Sequence, residues 1–383
     1  MTNVREKSPL TVVGIGADGW PGLSGQAREA VLSADVVVGS PRQLAYLPSE
    51  VKTEPWPSPL LPTLDDFLAD RGRICVLASG DPLLSGIGTT LIQRGYDVEI
   101  LPALSSVTLA RARLGWSAEE TEVVTVVGRA IGRVSRALAP GRRILVLGAS
   151  ADDLRDLLKA RGYDQSRVTA LSDLGGPDER VGPGSLTVFA IEADGPALPL
   201  TGLPDDAFEH DGQLTKRDLR ASALARLAPS PGELLWDVGA GAGSVGIEWS
   251  RVHPLNRAIA IERSPERAAR ITRNAHTLGV PELEVVIGAA PEALDGLTKP
   301  HAIFLGGGLT VPDVLDACLA TGARLVAHGV TLESEQALAR AYTEHGGELI
   351  RVGVEQAAPL GGFTGWTPAR VVTQWTRTPG SRP

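Results

Sequence analysis

The stretch that most constrains the fold is residues 234–247, which read LLWDVGAGAGSVGI. The apolar run over residues 233–238 is long enough for one buried strand and too short for a helix. Four glycines follow: Gly239, Gly241, Gly243 and Gly246. Such a turn lets the backbone approach a ligand closely, and the helix predicted from residue 245 directs free N–H groups towards it. The pattern therefore predicts a strand, a tight turn and a helix N-terminus.

An acidic residue strengthens this interpretation. A second apolar run, residues 257–261, predicts a strand that ends at Glu262. A carboxylate at the tip of that strand can accept hydrogen bonds from both ribose hydroxyls of an adenosine. A glycine-rich loop that only turns the chain is the simpler alternative. The combination of strand, glycines, helix and distant acid favours a nucleoside site.

The identity of the nucleoside is less constrained. An NAD pyrophosphate would lie on the helix N-terminus, whereas S-adenosylmethionine has no phosphate and needs only a groove over the glycines. Asp237, close before the first glycine, puts an anion near that position. Coulomb repulsion disfavours a pyrophosphate there and favours a cationic sulfonium. S-adenosylmethionine is therefore the preferred ligand, and an NAD-dependent oxidoreductase is the alternative.

Length and charge limit the broader class. A chain of 383 residues predicts two domains rather than one core. The formal net charge of −8 argues against nonspecific nucleic-acid binding. Local arginine clusters can nevertheless hold the carboxylates of a small anionic substrate. Two clusters occur, one at Lys216, Arg217 and Arg220, and one at Arg263, Arg267, Arg270 and Arg273. For the second, a solvated helix face with intrahelical ion pairs is the favoured interpretation.

Cysteine and histidine usage predicts no metal centre. Cys75 and Cys318 each lie inside an apolar run, so buried free thiols are expected. The six histidines show no metal-ligand spacing. No apolar run reaches membrane-spanning length, and residues 1–9 lack the apolar segment of a signal peptide. A cytoplasmic enzyme without membrane or nucleic-acid partners is therefore expected.

Hydrophobic periodicity predicts an α/β protein throughout. Strands are expected at residues 10–16, 35–38, 73–78, 98–101, 122–127, 142–147, 168–171 and 186–191, with helices between several of them and much parallel pairing. Residues 55–59 read as a rigid extended crossing. A segment rich in proline and glycine, residues 193–204, marks a linker, so domains 1–203 and 204–383 are predicted.

The second domain is predicted to be a doubly wound, Rossmann-like sheet. Seven strands are expected at residues 233–238, 257–261, 284–287, 301–305, 323–327, 349–354 and 371–375. Helices are expected between them, and the last two strands are predicted to form an antiparallel closing pair. In such a sheet ligands bind beyond the carboxyl ends of the strands.

These motifs resemble two enzyme families joined in one chain. The first half resembles the tetrapyrrole (corrin/porphyrin) methylases through Val13-Gly14-Ile15-Gly16, Ser79-Gly80-Asp81-Pro82 and the serine pair in residues 101–107. The second half is similar to a class I methyltransferase of cobalamin synthesis. It shares Leu214-Thr215-Lys216, residues 236–243, Gly306-Gly307-Gly308 and Val330-Thr331-Leu332-Glu333. Together they cover nearly the whole chain in the order of the fused precorrin-6Y C5,15-methyltransferases (decarboxylating).

The resemblance implies a specific chemistry. Two methyl groups pass from two S-adenosylmethionines to C5 and C15 of a precorrin-6 macrocycle, and the ring C acetate leaves as carbon dioxide, which gives precorrin-8. The first domain resembles the C5 methylase, and the second resembles the enzyme that methylates C15 and decarboxylates. Two cofactor sites per chain and a homo-oligomer are expected. A noncatalytic tetrapyrrole-binding protein is a further alternative, although both halves retain their glycine motifs.

The resemblance also implies which residues contact the cofactor, but it assigns no catalytic acid or base. In the second domain the glycine turn lies against methionine and adenosine, and the other positions contact ribose, the adenine edge or the methionine end: Asp237, Gly239, Ala240, Gly241, Ala242, Gly243, Glu262, Ala289, Ala290 and Thr215. In the first domain the matching positions are Gly16, Gly80, Asp81, Ser105 and Ser106. A turn-capping aspartate is the alternative for Asp81. His301 and His328 are expected at the surface, with binding of a substrate carboxylate as the alternative for a cleft-facing His328.

Overall fold

The fold is known from a computed structural model, which describes residues 10–69 and 71–379. The chain forms two compact units. The first contains the residues up to Ile131 together with Ala139–Pro196. The second contains Gly132–Leu138 together with the residues from Ala197 onward. The boundary predicted between residues 203 and 204 lies inside the second unit, and residues 1–9 lie outside the described part.

The first part of the chain alternates strands with helices of at most ten residues. In order its elements are β1 (Leu10–Ile15), α1 (Gly19–Gly22), α2 (Gly25–Ser33), β2 (Val36–Gly39), α3 (Pro41–Leu44), β3 (Thr53–Pro55), α4 (Leu60–Leu68), β4 (Ile74–Ser79), α5 (Ile87–Gln93), β5 (Val98–Leu101), α6 (Ser106–Leu114), β6 (Thr121–Thr125), α7 (Val134–Ala137), β7 (Arg143–Leu147), α8 (Ala151–Ala160), β8 (Arg167–Ser172), β9 (Arg180–Val181) and β10 (Thr187–Glu192).

Two five-stranded sheets organise the first unit. The first sheet has the order β3-β2-β4-β1-β5, and all of its pairs are parallel. Side chains such as Val12, Val37 and Val76 are fully buried because helices cover a parallel sheet on both faces. The second sheet, β6-β7-β10-β8-β9, is parallel only between β6 and β7. The expected parallel pairing is therefore found mainly in the first sheet.

The second unit contains one large sheet and a separate hairpin. Its further elements are α9 (Arg217–Leu227), β11 (Leu234–Val238), α10 (Ser244–Val252), β12 (Arg257–Glu262), α11 (Pro265–Thr277), β13 (Glu284–Ile287), β14 (Ala302–Leu305), α12 (Val314–Ala320), β15 (Arg324–Gly329), α13 (Leu332–His345), β16 (Glu348–Val352), β17 (Glu355–Leu360), β18 (Phe363–Pro368) and β19 (Val372–Arg377). The sheet order is β13-β12-β11-β14-β15-β19-β16. Strand β19 pairs antiparallel with both neighbours, which confirms the predicted closing pair.

The strand order brings the carboxyl ends of β11, β12, β14 and β15 to one edge of the sheet. The first five strands are parallel, and the chain order reverses between β11 and β14. A doubly wound sheet binds its ligand at such a reversal. Two buried clusters, one with Trp249 and one with Trp375, form the hydrophobic core around this sheet. The doubly wound, Rossmann-like fold predicted for this part of the chain is confirmed.

One short segment from the first half of the sequence packs within the second unit. Helix α7 is buried there through Val134 and Ala137, and Arg133 forms an ion pair with Glu282. Gly279 contacts the same segment so closely that a Cβ on it would overlap the Arg136 backbone. A linear division of the sequence into two domains cannot represent this arrangement.

Other differences from expectation concern short or exposed elements. Thr53–Pro55 pairs with β2 as an edge strand, where an extended crossing was predicted from residue 55. The hairpin β17–β18 was not predicted, since its sequence is rich in glycine and alanine and its side chains are mostly exposed. Cys75 and Cys318 are buried free thiols as expected, and burial raises the pKa of each to about 12. Among the described residues, no helix combines the length and apolar character needed to cross a bilayer.

Candidate cofactor site

A cavity of about 520 Å³ opens at the carboxyl edge of the large sheet. Its walls come from the segment before α9, from the ends of the five parallel strands and from β19. The lining residues include Gly212, Gln213, Leu214, Thr215, Gly239, Ala240, Gly241, Glu262, Arg263, Ala289, Ala290, Gly306, Gly307, His328 and Val372. Its volume lies within the range of small-molecule sites.

The glycine turn forms the floor of this cavity. Gly239 has a φ of +71°, and a Cβ on it would lie 2.9 Å from the Gly307 Cα. Gly241 has a φ of +60°, and a Cβ there would lie 2.8 Å from the Gln213 carbonyl oxygen. Both positions combine a left-handed backbone with close contact to another segment, so only glycine fits without strain. The turn ends where α10 begins, as the sequence predicts.

Glu262 presents a buried carboxylate to the cavity. Its exposed fraction is 4%, and it lies at the end of β12. Oε2 accepts a hydrogen bond from the Gly241 backbone N–H at 2.9 Å, and Oε1 accepts one from the Ser264 N–H at 3.0 Å. These bonds fix the carboxylate plane and leave each oxygen with a further lone pair. The group can therefore accept two ligand hydroxyls.

Asp237 lies beneath the glycine turn and does not line the cavity. It is 1% exposed, and its Oδ2 accepts a hydrogen bond from the Gly246 N–H at 2.9 Å inside α10. Burial raises the pKa of this carboxyl to about 7, the Gly246 bond opposes that shift, and the nearby Glu262 charge adds to it. The argument against a pyrophosphate assumed an ionised carboxylate facing the ligand, and the observed position does not support that assumption.

Of the other residues predicted to contact the cofactor in this unit, some line the cavity and some do not. Thr215, Gly239, Ala240, Gly241, Glu262, Ala289 and Ala290 line the cavity. Ala242 and Gly243, which directly precede α10, do not line it, and Ala242 is buried. A Cβ on Gly243 would lie 2.7 Å from the Ile271 side chain, so this glycine serves packing against α11.

The two histidines differ from each other. His301 is exposed as expected, and its Nδ1 accepts a hydrogen bond from the Leu234 N–H. His328 is only 9% exposed, and the expectation of a surface histidine is wrong for it. It lines the cavity, its Nε2 lies 2.9 Å from the Gln374 Oε1, and its ring packs edge-on against Phe304. Burial lowers its pKa, which disfavours the protonated form needed to bind a carboxylate by charge.

The basic clusters are largely neutralised by carboxylates from other segments. Arg220 is fully buried and bonds to Glu248, while Arg267 and Arg270 both contact Asp211. Only the contact between Arg270 and Glu266 is intrahelical, at 3.6 Å. The expected solvated face is found at Arg263 and Arg273, but apart from the Arg270–Glu266 contact the ion pairs of the second cluster are made with another segment and not within the helix.

The first unit brings its five predicted residues together at one sheet edge. Gly80 follows β4, its N–H donates to the Ile15 carbonyl at 3.0 Å, and its own carbonyl accepts from the Ala103 N–H at 3.0 Å. A Cβ on Gly80 would lie 3.1 Å from the Ser105 Cα. Gly16 directly follows β1 beside this point, and Ser106 is the first residue of α6.

Local roles account for two of these side chains. Ser105 caps α6 by accepting a hydrogen bond from the Thr108 N–H at 3.2 Å. Asp81 Oδ1 accepts from the Leu83 N–H at 2.9 Å, which is the turn-capping contact considered as its alternative role. These two contacts explain the positions of both side chains without a ligand.

Comparisons with known proteins agree with both halves. A model described as tetrapyrrole (corrin/porphyrin) methylases matches residues 9–189, and one described as a precorrin methyltransferase domain matches residues 206–379. A Sinorhizobium precorrin-6Y C(5,15)-methyltransferase [decarboxylating] is 47% identical over 97% of this chain and 96% of its own length. The chain belongs to this family of decarboxylating precorrin-6Y methyltransferases.

Two further relatives are informative. The Mycobacterium tuberculosis protein of the same description is 44% identical over 96% of this chain and 99% of its own length. A shorter protein from Pyrobaculum calidifontis, described as a probable cobalt-precorrin-6B C(15)-methyltransferase (decarboxylating), is 34% identical over 45% of this chain and 95% of its own. The chain is thus a methyltransferase enzyme of cobalamin biosynthesis, and methyltransferases of this family use S-adenosylmethionine.

The residues of the large cavity fit that cofactor. A buried carboxylate suits ribose hydroxyls, and two glycines without room for a Cβ leave backbone exposed to the ligand. Sequence reasoning missed Gln213 and Val372 as wall residues. Gln213 lies in a segment without regular structure, and Val372 belongs to the antiparallel strand β19, so neither follows a parallel strand as the recognisable positions do.

Proposed function

We propose that this methyltransferase transfers methyl groups from S-adenosylmethionine to C5 and C15 of a precorrin-6 macrocycle and removes the ring C acetate as carbon dioxide, forming precorrin-8. The observation that carries the proposal is the 47% identity to the Sinorhizobium enzyme, which extends over nearly the whole of both chains. A match restricted to one half would support only one of the two transfers.

The proposal assigns a separate role to each part of the chain. Residues 1–203 act as the C5 methylase, and residues 204–383 methylate C15 and decarboxylate. The two family matches, over residues 9–189 and 206–379, support this division. The shorter C(15)-methyltransferase relative supports it as well, because that protein matches along 95% of its own length while covering under half of this chain.

The residues described above have mainly a binding function in this proposal. S-adenosylmethionine supplies an electrophilic methyl group when bound. In the second unit Glu262 would hold the ribose, Ala289 and Ala290 would contact the adenine edge, and Thr215 would contact the methionine end. The enamine carbons of the macrocycle are already nucleophilic, so holding donor and acceptor in line supplies most of the acceleration. The conjugated ring itself can accept the electrons that decarboxylation releases.

Three further features belong to the proposal. Each chain would hold two cofactors, the second at the edge formed by Gly16, Gly80, Asp81, Ser105 and Ser106. The enzyme would act in the cytoplasm, in keeping with its two buried free thiols. It would form a homo-oligomer, which the exposed apolar side chains Phe363 and Trp366 of the β17–β18 hairpin support as a contact surface.

Titration calorimetry of the full chain with S-adenosylhomocysteine, the demethylated cofactor, tests this function. We expect two sites per chain, one of which is lost in Gly241→Val because the new side chain would meet the Gln213 carbonyl. Gly322→Val is the matched control, since Gly322 has a similar φ of +71° but open space around its Cβ position. Mass spectrometry of the product should show two added methyl groups and the loss of carbon dioxide. A chain that binds NADH but does not bind S-adenosylhomocysteine would refute the proposal.

A further inference from the structure

The segment before α9 forms one wall of the cofactor cavity but has no regular secondary structure. Residues 209–216 lie between a short 3₁₀ turn, Asp205–Ala207, and α9. Gly212, Gln213, Leu214 and Thr215 from this segment line the cavity. Gln213 also contributes the carbonyl oxygen that faces Gly241. A wall built from irregular chain needs anchors outside itself, because its own backbone does not hold it in one conformation.

Asn274 on α11 provides the first anchor. Its Oδ1 accepts a hydrogen bond from the Glu209 N–H at 2.9 Å, and its Nδ2 donates to the Glu209 carbonyl at 3.0 Å. The same Nδ2 donates to the Ala242 carbonyl in the glycine turn at 2.9 Å. Asn274 is 2% exposed, so these bonds are shielded from water. The beginning of the wall is thereby tied to the floor of the cavity.

Asp211 provides the second anchor, directly before the wall residues. Its Oδ2 lies 2.9 Å from the Arg267 Nε and 3.2 Å from the Arg270 Nη1. Its Oδ1 accepts a hydrogen bond from the Gln213 backbone N–H at 3.1 Å. One carboxylate thus joins two cations of α11 to the backbone of a cavity residue. The pKa of Asp211 lies well below its usual range because of the Arg267 hydrogen bond, so this anchor remains charged near neutral pH.

Geometry distinguishes Asp211 from an ordinary surface ion pair. Exposed pairs contribute little because water competes for both ions. Here the Arg270 side chain is 13% exposed, and Asp211 and Arg267 are about one-third exposed at 34% and 29%. Helix α11 also begins directly after the Glu262–Ser264 turn, and Arg267 itself lines the cavity. The anchor therefore connects residues 212–215, which line the cavity, with helix α11, which follows Glu262 in the sequence.

We propose that Asp211 is a positioning residue. It holds the wall of residues 212–215 against α11 and thereby sets the affinity of the second unit for S-adenosylmethionine. This rests on the proposed function, since it requires the cofactor to bind in this cavity. Loss of the anchor leaves Glu262 and the glycine turn intact. It raises the cost of ordering residues 212–215 when the ligand binds, so it weakens binding without changing the reacting groups.

Asp211→Asn tests the proposal, with Glu266→Gln as the matched control. The asparagine retains an acceptor for the Gln213 N–H but removes the charge that pairs with Arg267 and Arg270. Glu266 contacts the same Arg270, at 3.6 Å, yet it is 86% exposed and does not line the cavity. We expect Asp211→Asn to weaken S-adenosylhomocysteine binding at one site by about 2- to 30-fold, the range for one or two partly shielded ion pairs. Glu266→Gln should bind as the parent does.

Two further measurements distinguish a positioning role of Asp211 from a general loss of structure in the second unit. At saturating cofactor the rate of C15 methylation should be unchanged in Asp211→Asn, while the KM for S-adenosylmethionine rises. Hydrogen exchange should accelerate in the peptide that covers residues 209–216 and stay unchanged in peptides from β11 and β14. Exchange that accelerates across the whole unit, or a lowered rate at saturation, would overturn the positioning role.

The outcomes also separate this inference from the proposed function. If Gly241→Val removes no cofactor site from the full chain, the location of the C15 site is wrong and the role of Asp211 fails with it. If Gly241→Val removes one site but Asp211→Asn binds as tightly as the parent, the function stands and the anchor is refuted. Combining both substitutions should add nothing to Gly241→Val alone, because the site that Asp211 serves would already be lost.

Discussion

Replacement of Glu262 by glutamine is the most direct test of the cofactor site. Both carboxylate oxygens of Glu262 accept backbone hydrogen bonds, from Ser264 and from Gly241, at 3.0 and 2.9 Å. A glutamine side chain has one oxygen and one NH2 group. In either orientation the NH2 therefore faces a backbone N–H donor, and one ligand hydroxyl also loses its charged acceptor.

The expected loss of affinity follows from these two changes. A hydrogen bond to a charged group contributes about 1.5–3 kcal/mol. Loss of one such bond to the ribose weakens cofactor binding by about 10- to 150-fold at 25 °C. The donor-to-donor contact is present with and without ligand, so it lowers the stability of the free protein more than it changes the affinity.

Calorimetric titration of the full chain with S-adenosylhomocysteine measures this effect. Only the site in the second unit should weaken, while the site proposed for the first unit serves as an internal reference. Glu284→Gln is the control, because Glu284 is exposed and lies at the opposite end of β13 from the cavity. Binding by Glu262→Gln within twofold of the parent at every site would refute the assignment of Glu262 to the ribose.

Two further predictions concern stability. Glu248 is fully buried and accepts hydrogen bonds from Arg220 and from the Gly202 and Leu203 N–H groups, so Glu248→Gln should leave the buried Arg220 charge poorly compensated and destabilise the second unit by about 3 kcal/mol. That loss corresponds to a Tm about 6–12 °C lower by calorimetry, and an unchanged Tm would contradict the role of the pair. The raised pKa of Asp237, about 7, favours the protonated carboxyl in the folded state. Its contribution to stability is therefore complete below the unfolded pKa of about 4 and is lost as the pH rises through about 7. In urea unfolding of the ligand-free chain, Asp237→Asn should remove this part of the decline between about pH 4 and pH 7, and an identical pH profile in parent and variant would contradict the burial of an ionisable Asp237.

Local patterns in the sequence predicted most of the second unit. The strand, glycine turn and helix over residues 234–247 and the acid at Glu262 occur as expected, and all seven strands of the sheet were identified. These features depend on short-range periodicity and on backbone conformations that favour glycine, both of which can be read from a few neighbouring residues. The resemblance to two methyltransferase families depended on the same motifs and their order.

The positions of individual polar side chains were less predictable. Asp237 and His328 both stand in or beside strands, and the sequence does not indicate which face of the sheet each will occupy or what will cover it. Asp237 was expected to contact the cofactor beside the glycine turn, but it is buried beneath that turn. His328 is buried against Gln374 and Phe304. Gln374 is distant in sequence and reaches His328 only because β19 pairs with β15.

The sequence by itself thus determined the strands and helices, the glycine turn and its acidic partner, and the family of the enzyme. Tertiary structure decided which charges meet. Asp211 forms ion pairs with Arg267 and Arg270, which lie more than fifty residues later in the sequence. The segment Gly132–Leu138 belongs to the second unit, although it precedes strand β7 of the first unit in the sequence. The physical reason is that backbone conformation is set by near neighbours. Ion pairs and buried hydrogen bonds between distant residues depend instead on strand order and on which helix packs over each sheet edge.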